Sequence, residues 1–205
     1  MLTGLPPLVS SQTRLLILGS FPGVASLQAQ QYYGHPQNQF WRVLSAVLGN
    51  VYGSRAIGIC ASSYQIRSDW LLSKKLGVWD VYASCQREGS LDSNIRQAVL
   101  NDFSTLTTLC PNLQAIAHNG GESFKHANCV AESLQGYAVR RGGPPPASTA
   151  PLADSVLRNV KSVGVQFHKL PSTSPANASW SFERKVAAWH DVFEKCGLDG
   201  QKSNC

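Results

Sequence analysis

Apolar and polar positions along this chain switch between two periods. Leu15-Leu16-Ile17-Leu18 is an unbroken apolar run of strand length, the pattern of a strand buried on both faces. Gly19-Ser20-Phe21-Pro22-Gly23 ends it, because the glycines permit unusual backbone angles and the proline cannot continue a ladder. A polar, aromatic loop runs on to His35-Pro36-Gln37-Asn38. The period then changes: Phe40, Trp41, Val43, Leu44, Val47 and Leu48 recur at helical spacing, with Gly49 as the stop. This stretch predicts a strand over 14–19 and a helix over 38–48.

The rest of the chain repeats the alternation. Residues 1–13 read as a tail packed along the domain, and 51–63 as loop. Trp70, Leu71, Leu72 and Leu76 predict an amphipathic helix over 64–76, and Val78-Trp79-Asp80-Val81-Tyr82 a β-branched, aromatic strand. The segment 85–94, CQREGSLDSN, reads as a polar loop in which Asp92 or Ser93 caps a following helix with Ile95, Val99, Phe103 and Leu106 on one face. A third strand is expected over 113–118, stopped by Asn119-Gly120-Gly121, then a helix over 122–134. Residues 136–162, rich in Pro, Gly, Ser and Thr, read as a flexible insert within a single domain spanning 1–205; Arg140 and Arg141 there are either solvated or touch an anionic partner. A fourth strand over 163–170, the loop Pro171-Ser172-Thr173-Ser174-Pro175-Ala176-Asn177 and a helix over 179–195 complete the pattern.

Four strands alternating with helices predict an α/β fold, a three-layer α/β/α sandwich around a central four-stranded parallel sheet. In such a sheet the loops after the strands emerge at one edge, where ligands bind. Here they are GSFPG…HPQN, the segment after Asp80, HNGG and LPSTSPAN, and the polar residues concentrate in these four places.

Composition adds little to this. A formal charge of +6 suits an anionic partner. No apolar run approaches the roughly 20 residues of a membrane span, so no membrane partner is expected. The N-terminus has no basic segment leading into an apolar core, so no secretory signal is expected. Six cysteines, none in a CxxC, fit a reduced compartment better than a disulfide framework. Neither a GxGxxG nor a Walker loop offers a phosphate cradle, and there is no GxSxG elbow. Histidines 35, 118, 126, 168 and 190 show no metal-ligand spacing, so neither a metal nor a cofactor is expected.

GSFPG, YYGHPQNQFW and LPSTSPAN in this order, with WDV and GSLDS between them, resemble the uracil-DNA glycosylase superfamily, and within it the hypoxanthine-DNA (deoxyinosine) glycosylase branch. The resemblance covers all but residues 1–12 and about 136–162. It implies a monofunctional glycosylase that flips a deaminated nucleotide, most specifically one carrying hypoxanthine, and hydrolyses its base–sugar bond to leave an abasic site. It implies no cofactor and, as partner, double- or single-stranded DNA carrying the lesion. A uracil-directed enzyme and a non-catalytic damage-binding module are the alternatives. A monomer is expected, at the nucleoid in the cytoplasm of a bacterial host and in the nucleus or an organelle of a eukaryotic one.

By the same resemblance, Asn38, in the HPxN run, is the catalytic asparagine. It stands just before a helix, where asparagine caps well, and a capped amide is held rigid enough to orient the attacking water. Phe21 occupies the turn position where several superfamily members carry a catalytic Asn or Asp; it either packs in the core or offers a stacking face to the flipped base. Tyr33 is expected at the mouth, and His35 either bonds the leaving base or fixes its loop. Asp80, at a strand end, is either a helix cap or a base-reading group in the pocket, where a carboxylate accepts the N1–H of hypoxanthine, and Asn119 is similarly placed at the end of the third strand. Ser172, Ser174, Pro175 and Asn177 form a rigid loop expected to grip DNA phosphates, with helix capping as the plainer reading. Gln37, where relatives often have a basic residue, and His118, where an apolar one is common, depart from the pattern. The matching motifs hold no lysine, which disfavours a Schiff-base lyase.

Overall fold

The computed structural model describes residues 1–49, 55–134 and 164–198. The chain opens with a two-residue strand, β1 (Leu2–Thr3), and then enters β2 (Leu15–Gly19), every residue of which is buried. Helices α1 (Val24–Ala29), α2 (Phe40–Gly49), α3 (Arg55–Ala61) and α4 (Tyr64–Ser73) lead to β3 (Leu76–Asp80). After Val81 comes β4 (Tyr82–Gln86), then β5 (Arg96–Leu100), α5 (Leu106–Leu109) and β6 (Ala115–Asn119). Helices α6 (Gly121–Phe124) and α7 (Ala127–Ser133), strand β7 (Gln166–Leu170) and helix α8 (Phe182–Lys195) finish the described order.

The central sheet has the order β3-β2-β6-β7 and is parallel throughout. β2, β3 and β6 are buried at every position, as strands covered on both faces must be, and their sequences run apolar without alternation up to Asp80 in β3 and His118-Asn119 in β6 at the carboxyl edge. Above them α2 and α8 pack together, with Phe40 meeting Trp189 edge to face at 5.9 Å. Ser181 caps α8 by accepting the Arg184 N–H at 3.3 Å. The α/β architecture with its four parallel strands is the one the sequence predicts.

Several local expectations are corrected. The helix expected through Ile95, Val99, Phe103 and Leu106 is absent; β5, a short 3₁₀ turn and α5 occupy that span. Its apolar spacing mimics a helical face, yet Val99 is exposed while Phe103 and Leu106 are buried. Asp92 and Ser93 therefore cap no α-helix; they sit in a 3₁₀ turn, Asp92–Asn94. β4 takes the start of the presumed polar loop and pairs with β1 and β5 in a second, antiparallel sheet of order β1-β4-β5. The tail thus contributes a strand, and Leu8 bridges to Val78 as well. The expected helix over 122–134 is divided into α6 and α7, and α1 lies inside the expected loop. The Pro-rich insert at 136–162 lies outside the described residues.

Candidate active site

A cleft of about 1100 Å³ opens at the carboxyl edge of the parallel sheet. The chain passes from β2 to β3 on one side and then to β6 on the other, so the ends of β2 and β6 flank the point where the strand order reverses, the usual ligand crevice of open α/β sheets. Phe21, Tyr33, His35, Asn38, Asp80, Asn119, Ser172, Ser174, Pro175 and Asn177 all line it. The parallel topology brings together residues spread over more than 150 positions.

The floor is built by pairing. Gly19 lies opposite Asp80 in the β2–β3 register, and the ladder continues past it through Val81 N–H to Gly19 O (2.9 Å) and Tyr82 N–H to Ser20 O (3.0 Å). This draws the Asp80 carboxyl over Gly19 so closely that a Cβ at position 19 would overlap Asp80 Oδ1. Asp80 is only 4% exposed, and its Oδ2 has no hydrogen-bond partner among the described residues. Burial, reinforced by the negative charge of Asp92 and opposed by Arg87, pushes its pKa up to about 7.

Phe21 is buried in the turn, and the Arg87 guanidinium lies 5.0 Å from the centre of its ring. The same guanidinium donates to the carbonyls of Phe21 and Pro22. Ser20 Oγ donates to Asp92 (2.7 Å), and the Val24 N–H to Ser90 Oγ (3.0 Å). The β4–β5 loop is therefore a brace for the turn, a role that a local reading of CQREGSLDSN as loop and cap missed. Its arginine, hydroxyls and acid on the ligand-binding edge were the available signal.

In the second wall, the Phe40 N–H donates to Asn38 Oδ1 at 3.0 Å, so Asn38, one residue before the N-cap position, satisfies the first N–H of α2. Asn38 lines the cleft, and an amide oxygen has a second lone pair besides the one this bond uses. His35 sits exposed on the rim, its Nδ1 accepting the Gln37 N–H at 3.2 Å. Tyr33 has a φ of +55°, an unfavourable backbone for a tyrosine, costing about 1–3 kcal/mol that its surroundings must offset. They do: its ring stacks on Phe40 at 3.7 Å, and its hydroxyl accepts from Asn119 Nδ2 at 3.2 Å. Burial raises the Tyr33 pKa, so the hydroxyl keeps its proton.

Asn119 joins the walls. Its Oδ1 accepts the Thr173 N–H (3.0 Å), and its Nδ2 donates to Thr173 Oγ1 (2.9 Å) as well as to Tyr33. Gly120, at φ +116°, lets Ser172 approach to within about 3.1 Å of where a Cβ would stand. Ser172 and Ser174 Oγ accept the N–H groups of Ser174 and Ala176, and Asn177 Nδ2 donates to Ser172 O, which stiffens the loop. A residue the sequence reading passed over, Lys185 on α8, ties this loop to the second wall. Its buried Nζ donates to Gln39 Oε1 (2.9 Å) and Asn177 O (3.1 Å), while the Gln39 N–H reaches Thr173 O (3.0 Å). Burial lowers the Lys185 pKa. Among the described residues, His190, Asp191 and Glu194 bring potential metal ligands together, but on α8 and away from the cleft lining.

The model of the uracil DNA glycosylase superfamily matches residues 6–193. The chain belongs to that superfamily. It is 31% identical over 190 residues to a hypoxanthine DNA glycosylase of Methanosarcina acetivorans, an alignment covering 93% of this chain and 96% of that one. With a hypoxanthine DNA glycosylase of Methanosarcina barkeri it shares 40% identity over 123 residues, 60% of this chain and 73% of the relative. A solution NMR structure from Methanosarcina acetivorans, of a protein assigned to the uracil DNA glycosylases, superposes with a TM-score of 0.69 at 29% identity, covering 95% of this chain and 98% of that one. Fold and kinship together make the reaction class that of a DNA glycosylase, which acts on DNA and removes a deaminated base.

Proposed function

We propose that this chain excises hypoxanthine from DNA by hydrolysis, with Asp80 reading the base and Asn38 holding the water. The observation that carries this is the buried Asp80 carboxyl, whose Oδ2 is without a partner among the described residues at the floor of the cleft. Deamination turns the N1 acceptor of adenine into the N1–H donor of hypoxanthine. An ionised carboxylate accepts from the second and repels the first, so it selects the damaged base over its parent. The names of the two relatives point to the same substrate.

The nucleotide leaves the duplex, at a cost of a few kcal/mol that is smaller for a mispaired base, and enters the cleft beside Phe21 and Tyr33. The second lone pair of Asn38 Oδ1 holds water against the sugar. An oxocarbenium-like transition state needs position more than nucleophilic push, and the bond to Phe40 supplies position. The loop of Ser172, Ser174, Pro175 and Asn177 grips the flanking phosphates. The enzyme acts as a monomer and uses no cofactor.

Duplexes carrying one hypoxanthine, uracil or adenine, incubated with the protein and then cleaved with alkali, test the assignment. Strand breaks are expected on the hypoxanthine duplex alone and are lost in Asn38→Ala. Activity confined to uracil, whose N3–H offers the same donor, overturns the substrate. Lesion binding without release of any base makes the chain a damage-binding module.

A further inference from the structure

A buried cation is costly unless an anion stands beside it. Lys185 is 2% exposed, and the acceptors of its Nζ are both neutral, Gln39 Oε1 at 2.9 Å and Asn177 O at 3.1 Å. Among the described residues no carboxylate pairs with it. Burial lowers its pKa, and no neighbouring charge offsets that fall. Its place adds to the cost. Lys185 lies in the first turn of α8, where the helix already presents partial positive charge. Glu183, the acid of that turn, is exposed and bonded to the Ser181 cap. A tie between two walls needs no charge, because a neutral donor would bond the same oxygens. The packing therefore accounts for the bonds and leaves the charge unexplained. Asn177, whose carbonyl Lys185 holds, ends the loop Pro171–Asn177, which lines the cleft and carries no charged side chain.

We infer that Lys185 is a positioning residue for DNA: from behind the loop, its buried ammonium supplies the positive charge that holds a phosphate against the hydroxyls of Ser172 and Ser174. Lys185 does not line the cleft, so it touches neither base nor sugar and acts through the loop. A charge in a buried setting is weakly screened, and its field reaches across one thickness of chain. The phosphate is the anion that the free protein does not provide. This rests on the reading of the Ser172–Asn177 loop as a phosphate grip and goes beyond it, because it names the charge behind the grip.

The test is fluorescence anisotropy with a labelled duplex whose hypoxanthine nucleotide carries a 2′-fluorine, so that its base–sugar bond resists hydrolysis. Affinity is measured from about 50 to about 200 mM salt for wild type, Lys185→Met and Lys185→Gln. Methionine keeps the length of the side chain without the charge, and glutamine keeps an N–H donor for the tie. Both variants should bind about tenfold more weakly at the lowest salt, with a plot of log affinity against log salt shallower by about one. Methylphosphonates replacing the flanking phosphates one at a time should, at one position, weaken wild type about tenfold and both variants less than twofold. If Lys185→Met melts below wild type, Lys185→Gln carries the comparison. Wild-type affinity and slope in Lys185→Gln make the lysine a neutral tie and overturn the inference, as do equal methylphosphonate losses in all three proteins. If wild type releases no base from an unmodified lesion, the proposed function fails while the anisotropy still decides the role of Lys185.

Discussion

Replacing Asp80 with asparagine keeps the shape of the side chain and removes its ionisation. In the folded chain, burial and Asp92 lift the carboxyl from an ordinary value of 3.8 to about 7. Between those values the folded chain keeps a proton that the unfolded chain has released, so the carboxyl makes stability fall as pH rises. Each pH unit across that span costs about 1.4 kcal/mol, about 4 kcal/mol in all by pH 8. Asp80→Asn escapes this loss. Relative to wild type its stability should therefore grow by about 2 kcal/mol between pH 5 and pH 7, and at about 2–4 °C per kcal/mol its melting temperature should gain about 4–8 °C over the same interval. Thermal unfolding of both proteins from pH 4 to pH 8 measures the difference. On the proposed role of Asp80 the same titration sets base reading: wild-type excision of hypoxanthine should rise through about pH 7 as the carboxylate forms, and the variant should lose both the rise and the discrimination against adenine. A melting difference that is constant with pH, or that favours wild type more as pH rises, refutes the account of Asp80 as a buried, unpaired acid.

Gly19→Ala places a methyl group against Asp80 Oδ1 and should lower hypoxanthine excision at least tenfold with Asn38 intact; combined with Asp80→Ala it should cause no further loss, which a double-mutant cycle on single-turnover rates measures. His118 is buried, its Nδ1 bonded to Ser123 Oγ at 2.8 Å, and burial lowers its pKa from 6.5 to about 4. As pH falls from 6.5 to about 4 the unfolded chain takes up a proton that the folded chain refuses, so this histidine removes stability over that window, about 2 kcal/mol by pH 5. His118→Phe should be less sensitive to acid than wild type by that amount, read from urea unfolding at pH 7 and pH 5, and an unchanged difference between the two pH values refutes it.

The four parallel strands were legible because strands buried on both faces need uninterrupted apolar residues, and Leu15–Leu18 or Ala115–Ala117 admit little else. The cleft residues followed from topology, since strand ends in a parallel sheet share an edge. The second sheet was not legible. Its pairing of Leu2 with Cys85 joins residues too far apart for any local pattern to record, and β5 carries no alternation because all but its last residue are exposed. Ile95, Val99, Phe103 and Leu106 fall at helical spacing while belonging to a loop end, a strand, a 3₁₀ turn and the one-turn helix α5. Arg87 and Lys185 escaped for a related reason. A charged residue is read as a solvated one until a fold shows which carbonyls it is bonded to.

The tie made by Asn119 has a consequence for the order in which the molecule is assembled. Its amide bonds to Tyr33 and Thr173, partners 86 positions before it and 54 after it, so the cleft closes through contacts far apart in sequence. Such contacts form late, once the loops between them have been closed. On a ribosome, β2, β3 and β6 emerge and can pair while one wall, the loop of Ser172 and Thr173, is still unmade. A nascent chain can therefore hold a sheet before it holds a cleft, whose second wall is complete only when α8 has packed and its Lys185 is bonded to Gln39 and Asn177.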